Sequence, residues 1–164
     1  MSVNVLSDHL GMSTAILEAK QSRKKGGIPI GSAIVYHGDS AVGPQVLGSG
    51  HNQRIQKSSA ILHGEIAALD SAGRQKPEAY RNSTIYTTLS PCSMCTGAIL
   101  LYRIPRVVIG ESRNFRGDED LLRSRGVEVV VLDNNECYEL MKEFIETHPE
   151  EWNEDIGETV APPS

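Results

Sequence analysis

The chain alternates short apolar runs with polar, glycine-rich breaks, and the spacing inside each run separates helix from strand. Near the N-terminus, Met12, Ala15, Ile16 and Ala19 recur at i, i+3, i+4 and i+7, the period of an amphipathic helix. The basic "SRKKGG" that follows (Ser22–Gly27) marks its end, because Lys or Arg commonly closes a helix and Gly commonly follows it. "PIGSAIVYH" and "QVLGSGHN" flank the turn-rich "GDSAVG", which predicts an antiparallel hairpin. A helix opens in "LHGEIAAL" (Leu62–Leu69) and stops near Gly73. "STIYTTL" is rich in β-formers. "PCSMCTGAILLY" continues directly as a helix, with Pro91 at its first position and Ala98, Leu100 and Leu101 on a buried face.

"RVVIG" and "VEVVVL" are nearly continuous in apolar residues, as strands covered on both faces are. The segment between them, with a short helix around Leu121–Arg125, is long enough for a parallel crossover. "NNECYELMKEFIET" then predicts a helix with Leu140, Met141, Phe144 and Ile145 on its inner face, and the acidic "HPEEWNEDIGETVAPPS" finishes the chain. The order αββαβαβαβα predicts an α/β fold: a three-layer α/β/α sandwich around a mixed five-stranded sheet. A fold of this kind does not by itself assign a function.

Composition narrows the function classes. A chain of 164 residues suits one domain with a single sizeable core. With 39% hydrophobic and 23% charged residues and no long apolar run, it reads as globular, with no membrane partner. The opening "MSVNVLSDHLGM" has neither the basic region nor the apolar core of a secretory signal. The three cysteines, Cys92, Cys95 and Cys137, do not look like a disulfide framework, and a reducing, cytoplasmic setting follows. A net charge of −5 provides no general attraction to phosphate backbones, so no nucleic-acid partner is expected.

Two short motifs carry chemistry. In "LHGEIAAL", His63 and Glu65 are two positions apart, a spacing at which helical side chains do not face each other. They can still share one site if it lies off the helix N-terminus. In "SPCSMC", the Cys92–Cys95 pair has two frequent uses, redox chemistry and metal binding, and its surroundings fit the redox use less well. At the start of a helix, free N–H groups and the positive end of the dipole favour thiolates, which zinc requires. In an α/β sheet the carboxyl ends of strands and the N-termini of the following helices gather at one edge, so His63 can join the two thiols there. One His and two Cys leave a tetrahedral zinc ion one position for water, whose pKa falls to about 7. Glu65 would then carry protons between that water and the substrate. H-x-E followed by P-C-x-x-C is the signature of zinc nucleobase deaminases. Cys137 has no His or Cys near it in sequence and reads as a buried thiol.

With these residues in place the sequence resembles the zinc-dependent deaminase superfamily, and within it the small cytosine deaminases of the yeast type. The likeness runs from about Met12 to Glu158 and rests on "GGIPIG", "GSGHN", "LHGEI", "YTTLSPCSMCTGAIL", "IPRVVIGE" and "EDIGE". P-C-S-M-C-T-G-A is shared with tRNA adenosine and guanine deaminases, whereas "HGE" and the acidic W-x-E-D-I-G-E tail point toward cytosine. The resemblance implies a cytidine deaminase-like fold over residues 1–158, with 159–164 a frayed tail, and one zinc ion per chain. It also implies hydrolysis of cytosine to uracil and ammonia in pyrimidine salvage, with 5-fluorocytosine accepted, by a homodimer in contact through "TGAILLYRI".

Carried over residue by residue, it gives His63, Cys92 and Cys95 to zinc and Glu65 to proton transfer. The amide of Asn52 and the backbone N–H of Gly64 would meet the pyrimidine carbonyl, and the carbonyl of Ser90 and the carboxylate of Asp155 the exocyclic amine. Ile30, Leu89, Phe115 and Trp152 would form apolar walls and a lid. Around Phe115, "SRNFRGDEDLL" departs from the family, and "TVAPPS" extends beyond Glu158. A carboxylate is a natural acceptor for the N4 amine of cytosine, so the chemistry agrees. Two rival readings stand beside this one. The first is deamination of tRNA adenosine, guanine or a nucleoside. The second is a non-catalytic zinc-stabilised scaffold, against which Glu65 and the three-ligand set argue.

Overall fold

Strand β3 (Ser83–Leu89) is buried along its whole length because the sheet grows outward on both sides of it. In the computed structural model, which describes residues 3–159, the strand order is β2-β1-β3-β4-β5. The other strands are β1 (Gly31–Tyr36), β2 (Gln45–His51), β4 (Arg106–Glu111) and β5 (Glu128–Val131). The longer helices are α1 (Val3–Lys24), α3 (Gly64–Ala72), α5 (Ser93–Leu101) and α7 (Asn135–Thr147). Short ones are α2 (Arg54–Lys57), α4 (Pro77–Arg81), α6 (Glu119–Ser124) and α8 (Pro149–Asp155). Of the tail expected over 159–164, all but Thr159 lies outside the described residues.

Side chains alternate across the sheet with period two. Ile34, Ile85, Val107 and Ile109 face Ala68 of α3, Ile99 of α5 and Leu122 of α6. Val35, Tyr86 and Val108 face Met12 and Ala15 of α1 and Cys137 of α7. These two clusters make the expected three layers, and each fully buried aliphatic side chain contributes roughly 1.5–3 kcal/mol. A third cluster at one end joins Ile28, Ile30 and Leu89 to Met141, Phe144 and Trp152, so α7 and α8 also close the sheet edge that holds the motifs.

Strand direction explains why the motifs share that edge. β1 is antiparallel to both β2 and β3, and β3, β4 and β5 are mutually parallel. β2 and β3 therefore end on the same side, where α3 and α5 begin. "GSGHN" helps: a Cβ on Gly50 would lie 2.7 Å from backbone and side-chain atoms of Ala67, so only glycine lets α3 lie this close to β2.

The sequence-based expectations need four corrections. α5 starts at Ser93, which makes Cys92 its N-cap and puts Pro91 outside the helix, and Leu101 at its end is exposed rather than buried. β5 is an edge strand with exposed and half-buried residues, so its apolar run does not mean two covered faces. The acidic tail contributes a further helix, α8, and α2 and α4 are added single turns. α1 begins well before Met12. Its first turns contain Ser7 and Asp8, modest helix formers, and tertiary bonds supplement their propensity. Arg106 donates two hydrogen bonds to the Asp8 carboxylate, at 2.6 and 2.9 Å, and the Tyr86 hydroxyl donates a third at 2.7 Å. Among the described residues, no helix is long and apolar enough to cross a membrane.

The Asp8 cluster predicts a pH-dependent contribution to stability. Burial raises the Asp8 pKa, but the bonds from Arg106 and Tyr86 outweigh it and hold the carboxyl below its ordinary 3.8. A depressed carboxylate stabilises above its unfolded pKa, and that contribution fades as pH falls through the folded value. Asp8→Asn should therefore cost about 1–2 kcal/mol at pH 7, a charge-assisted pair discounted for its partial exposure. The gap between variant and parent should close below about pH 4; melting temperatures across pH 3–8 check both the size and the sign.

Candidate active site

Both motif residues that open their helices occupy N-cap positions. His63 (φ −65°, ψ 163°) caps α3 and Cys92 (φ −68°, ψ 177°) caps α5, each with extended backbone. An N-cap side chain ordinarily accepts from a backbone N–H of the first turn. Neither of these does, and both turn toward each other instead. His63 Nδ1 lies 3.4 Å from Cys92 Sγ, and the ligand atoms of His63, Cys92 and Cys95 all fall within 4.8 Å of one another. Glu65, at the second position of α3, is buried in the same first turn. The i, i+2 spacing thus works because the site sits off the helix end.

The donor set fits zinc. Zn–N near 2.0–2.1 Å and Zn–S near 2.3 Å at tetrahedral angles imply an N···S edge of about 3.6 Å. The 3.4 Å approach of His63 to Cys92 is close to that. The other ring nitrogen, His63 Nε2, faces Asp155 Oδ1 at 3.4 Å, the kind of carboxylate partner that orients a metal-binding imidazole. Among the described residues the cluster stops at three ligands, which leaves a tetrahedral ion one position for water or substrate.

Protonation is unevenly shared. The Cys95 thiol donates to Cys92 and, with help from His63 and against burial, holds Cys92 down at about 4. The same contact, reinforced by burial, pushes Cys95 up. Burial opposes charge on His63, but Cys92, Asp155 and Glu65 outweigh it and raise the imidazole to about 9. Burial raises Glu65, partly countered by a hydrogen bond from Thr87. It also raises Asp155, countered by His63, Asn52 and Arg54.

A narrow pocket, with a free volume of about 10 Å³, lies beside these groups. Ile30 and Leu89 line it from the sheet edge and Trp152 from α8, with Phe115 edge-on to Trp152 at a centroid distance of 5.8 Å. Glu65, Ser90 and Asp155 supply its polar lining together with His63 and Cys92. Asn52 stands just outside: its amide donates to Asp155 Oδ1 at 2.7 Å and its Oδ1 accepts from the Arg54 N–H. An amide nitrogen carries two hydrogens, so one donor remains for a ligand. Gly64 is buried as the first residue of α3, under Ile30.

Several lining or supporting residues were not selected from sequence. Ile156, next to Asp155 in "EDIGE", lines the cavity. Ser90 donates its hydroxyl to buried Glu119 at 2.7 Å and accepts from the Gly117 N–H at 2.9 Å. A Cβ on Gly117 would sit 1.8 Å from the Pro91 carbonyl oxygen, so glycine alone permits this contact. Glu119 was legible only as part of a short helix, and Thr87, which bonds Glu65 at 2.6 Å, only as a β-former. Cys137 is buried away from the cluster, as its isolation in sequence suggested.

Comparison with known proteins follows this geometry. Residues 6–111 match the family described as the cytidine and deoxycytidylate deaminase zinc-binding region. The chain is 58% identical over 151 residues to a cytosine deaminase of Candida albicans (strain SC5314 / ATCC MYA-2876), covering 92% of this chain and 97% of that one. It is 38% identical over 112 residues to a tRNA-specific adenosine deaminase of Streptococcus pyogenes serotype M18 (strain MGAS8232), covering 68% and 67%. A solved structure from studies of A-to-I editing by tRNA:A34 deaminases superposes with a TM-score of 0.64 at 24% identity, over 80% of this chain and 99% of that one. That likeness bears on the fold.

The ligand geometry predicts metal content. The purified protein should carry about one zinc per chain, and Cys95→Ser or His63→Ala should lose most of it while Glu65→Gln keeps it. Elemental analysis by mass spectrometry measures this directly. Because a bound metal stabilises only the folded state, chelation should also lower the melting temperature.

Proposed function

The chain belongs to the cytidine and deoxycytidylate deaminase family, and from that premise we propose that it hydrolyses free cytosine to uracil and ammonia. The observation that carries this reading is the end-to-end likeness to the Candida albicans cytosine deaminase, over 92% of this chain and 97% of the relative. The cover supports it: α8 brings Trp152 and Asp155 over the site, which restricts the room for a sugar.

In this reading Asp155 and the carbonyl of Ser90 take the exocyclic amine, while the second N–H of Asn52 and the Gly64 N–H take the pyrimidine carbonyl. Ile30, Leu89, Phe115 and Trp152 sandwich the ring and exclude water. His63, Cys92 and Cys95 would hold zinc, which when bound would bring the pKa of a water toward about 7. Glu65 takes one proton from the attacking water and delivers it to ring N3. It then takes the water's second proton and passes it to the amine as the C–N bond breaks, so that water and cytosine are consumed and uracil and ammonia released. Burial suits this task, because it raises the carboxyl above its ordinary range and makes it a better proton acceptor.

The reaction serves pyrimidine salvage in the cytoplasm, and the same pocket accepts 5-fluorocytosine. The active form is a homodimer. Leu101, 71% exposed, and Tyr102 flank an apolar depression lined by Ile66, Leu69 and Ala98, and a second copy covers this face.

Ammonia release from the zinc-loaded protein, with cytosine and cytidine side by side, tests the assignment. Cytosine alone should react. Turnover of cytidine, guanine or tRNA adenosine in its place would overturn it. Glu65→Ala should lower the rate by about 10²–10⁴ with zinc retained, the usual worth of general acid–base catalysis. Leu101→Glu should shift light-scattering mass from two chains to one.

A further inference from the structure

We propose that Thr87 is a positioning residue for proton transfer: its hydroxyl ties down one oxygen of Glu65 and so fixes the rotation of the carboxyl that serves the substrate. The inference rests on reading Glu65 as the proton carrier.

Thr87 lies on the central strand β3, on the same face as Ile85 and Leu89. It is completely buried. A hydroxyl in such a row is unfavourable unless bonded, and valine would fill the same volume without that requirement. Here the Thr87 Oγ1 lies 2.6 Å from Glu65 Oε1, the short distance of a hydroxyl bonded to a charged acceptor. The bond crosses from strand to helix, so it fixes the carboxyl rotation relative to the sheet that also carries Leu89 and Ser90. A carboxylate has two oxygens that exchange by rotation. With Oε1 tied to Thr87 and the Cys95 thiol bonded to the same carboxyl, its rotation in the cavity that Glu65 lines is set.

Thr87 has a second acceptor, the Leu89 carbonyl oxygen at 3.0 Å. A hydroxyl carries one hydrogen and two lone pairs. That one hydrogen serves one of the two acceptors at a time, and the shorter contact is the one to Glu65. The neighbouring Thr88 has a different task, accepting from the Gly31 N–H on the other side of the strand.

The test compares Thr87→Val, which keeps the shape and removes the hydroxyl, with Thr87→Ser, which keeps the hydroxyl. Each is made in the full zinc-loaded chain and assayed on the base the parent deaminates. Thr87→Val should lower kcat by about 10–100-fold, the scale of a misplaced reacting group, with KM within about twofold. Zinc content and calorimetric binding of the product base should be unchanged, and Thr87→Ser should restore most of kcat. A readout independent of turnover is the ¹³C-carboxyl resonance of Glu65, identified by its loss in Glu65→Gln. It should move in Thr87→Val and return in Thr87→Ser. An unmoved resonance, an unchanged kcat, equal loss in both variants, or loss of kcat together with zinc would each overturn the proposal. If the parent deaminates a base other than cytosine, the cytosine assignment falls while this comparison still decides the role of Thr87.

Discussion

Two helix N-termini face one another at a single sheet edge, and the rest of the site depends on how that approach is tolerated. Each terminus presents unpaired N–H groups and the positive end of a helix dipole. Bringing two together is unfavourable unless negative charge sits between them. Here the Cys92 thiol, held down chiefly by Cys95, supplies that charge at the start of α5, and the raised imidazole of His63 at the start of α3 pairs with it at 3.4 Å. Both cap side chains forgo capping, an arrangement that sacrifices roughly 0.5–2 kcal/mol at each helix. A stability-driven sequence would place Ser or Asp there and keep the side chain for its own helix. The conflict between local helix stability and the observed residues marks the site as functional, and strand direction explains why it forms. With β1 reversed between β2 and β3, the two helices that follow β2 and β3 must start on one side.

Asp155 links that metal cluster to its cover. A buried carboxylate left alone costs several kcal/mol, so its partners decide whether α8 can dock. Asn52 donates to it, His63 Nε2 lies beside it, and Arg54 approaches to 4.0 Å. The same carboxylate lies beside the imidazole ligand, so any ligand that engages Asp155 also perturbs the partner of His63.

Much of this was legible in the sequence because it is periodic or compositional. The five strands, the hairpin, the parallel crossover and the helices α1, α3, α5 and α7 all followed from spacing, and H-x-E with P-C-x-x-C located the metal ligands. What escaped was set by tertiary bonds. α8 reads as a solvated acidic tail, since its buried residues, Trp152 and Asp155, are too few to create a pattern and draw stability from the site they cover. β5 shows the reverse error, because an apolar run cannot reveal that no strand follows it on one side. Thr87 and Glu119 have ordinary local readings, as β-former and helix residue. Only the fold shows that they contact Glu65 and Ser90.

Phe115 tests how a wall residue can be held in place while the sequence around it drifts. The loop that carries it is anchored mainly through backbone groups. Buried Glu111 accepts from the N–H groups of Arg113 and Asn114 and from the Asn114 side chain, which also donates to the Tyr138 carbonyl. On the other side, the Gly117 N–H bonds Ser90 and the Asp118 N–H bonds the Pro91 carbonyl. Arg113 and Arg116 are exposed: Arg113 lies over the Tyr138 ring at 3.7 Å and pairs with Asp133, and Arg116 pairs with Asp120. Such exposed pairs add little to the buried anchors. The anchors themselves cannot change: a side chain at Gly117 would collide with Pro91, and loss of Glu111 would release two N–H groups at once. A change between these anchors is therefore compatible with an unchanged wall, because what the wall requires is Glu111, Asn114, Gly117 and Glu119 in register rather than the residues between them.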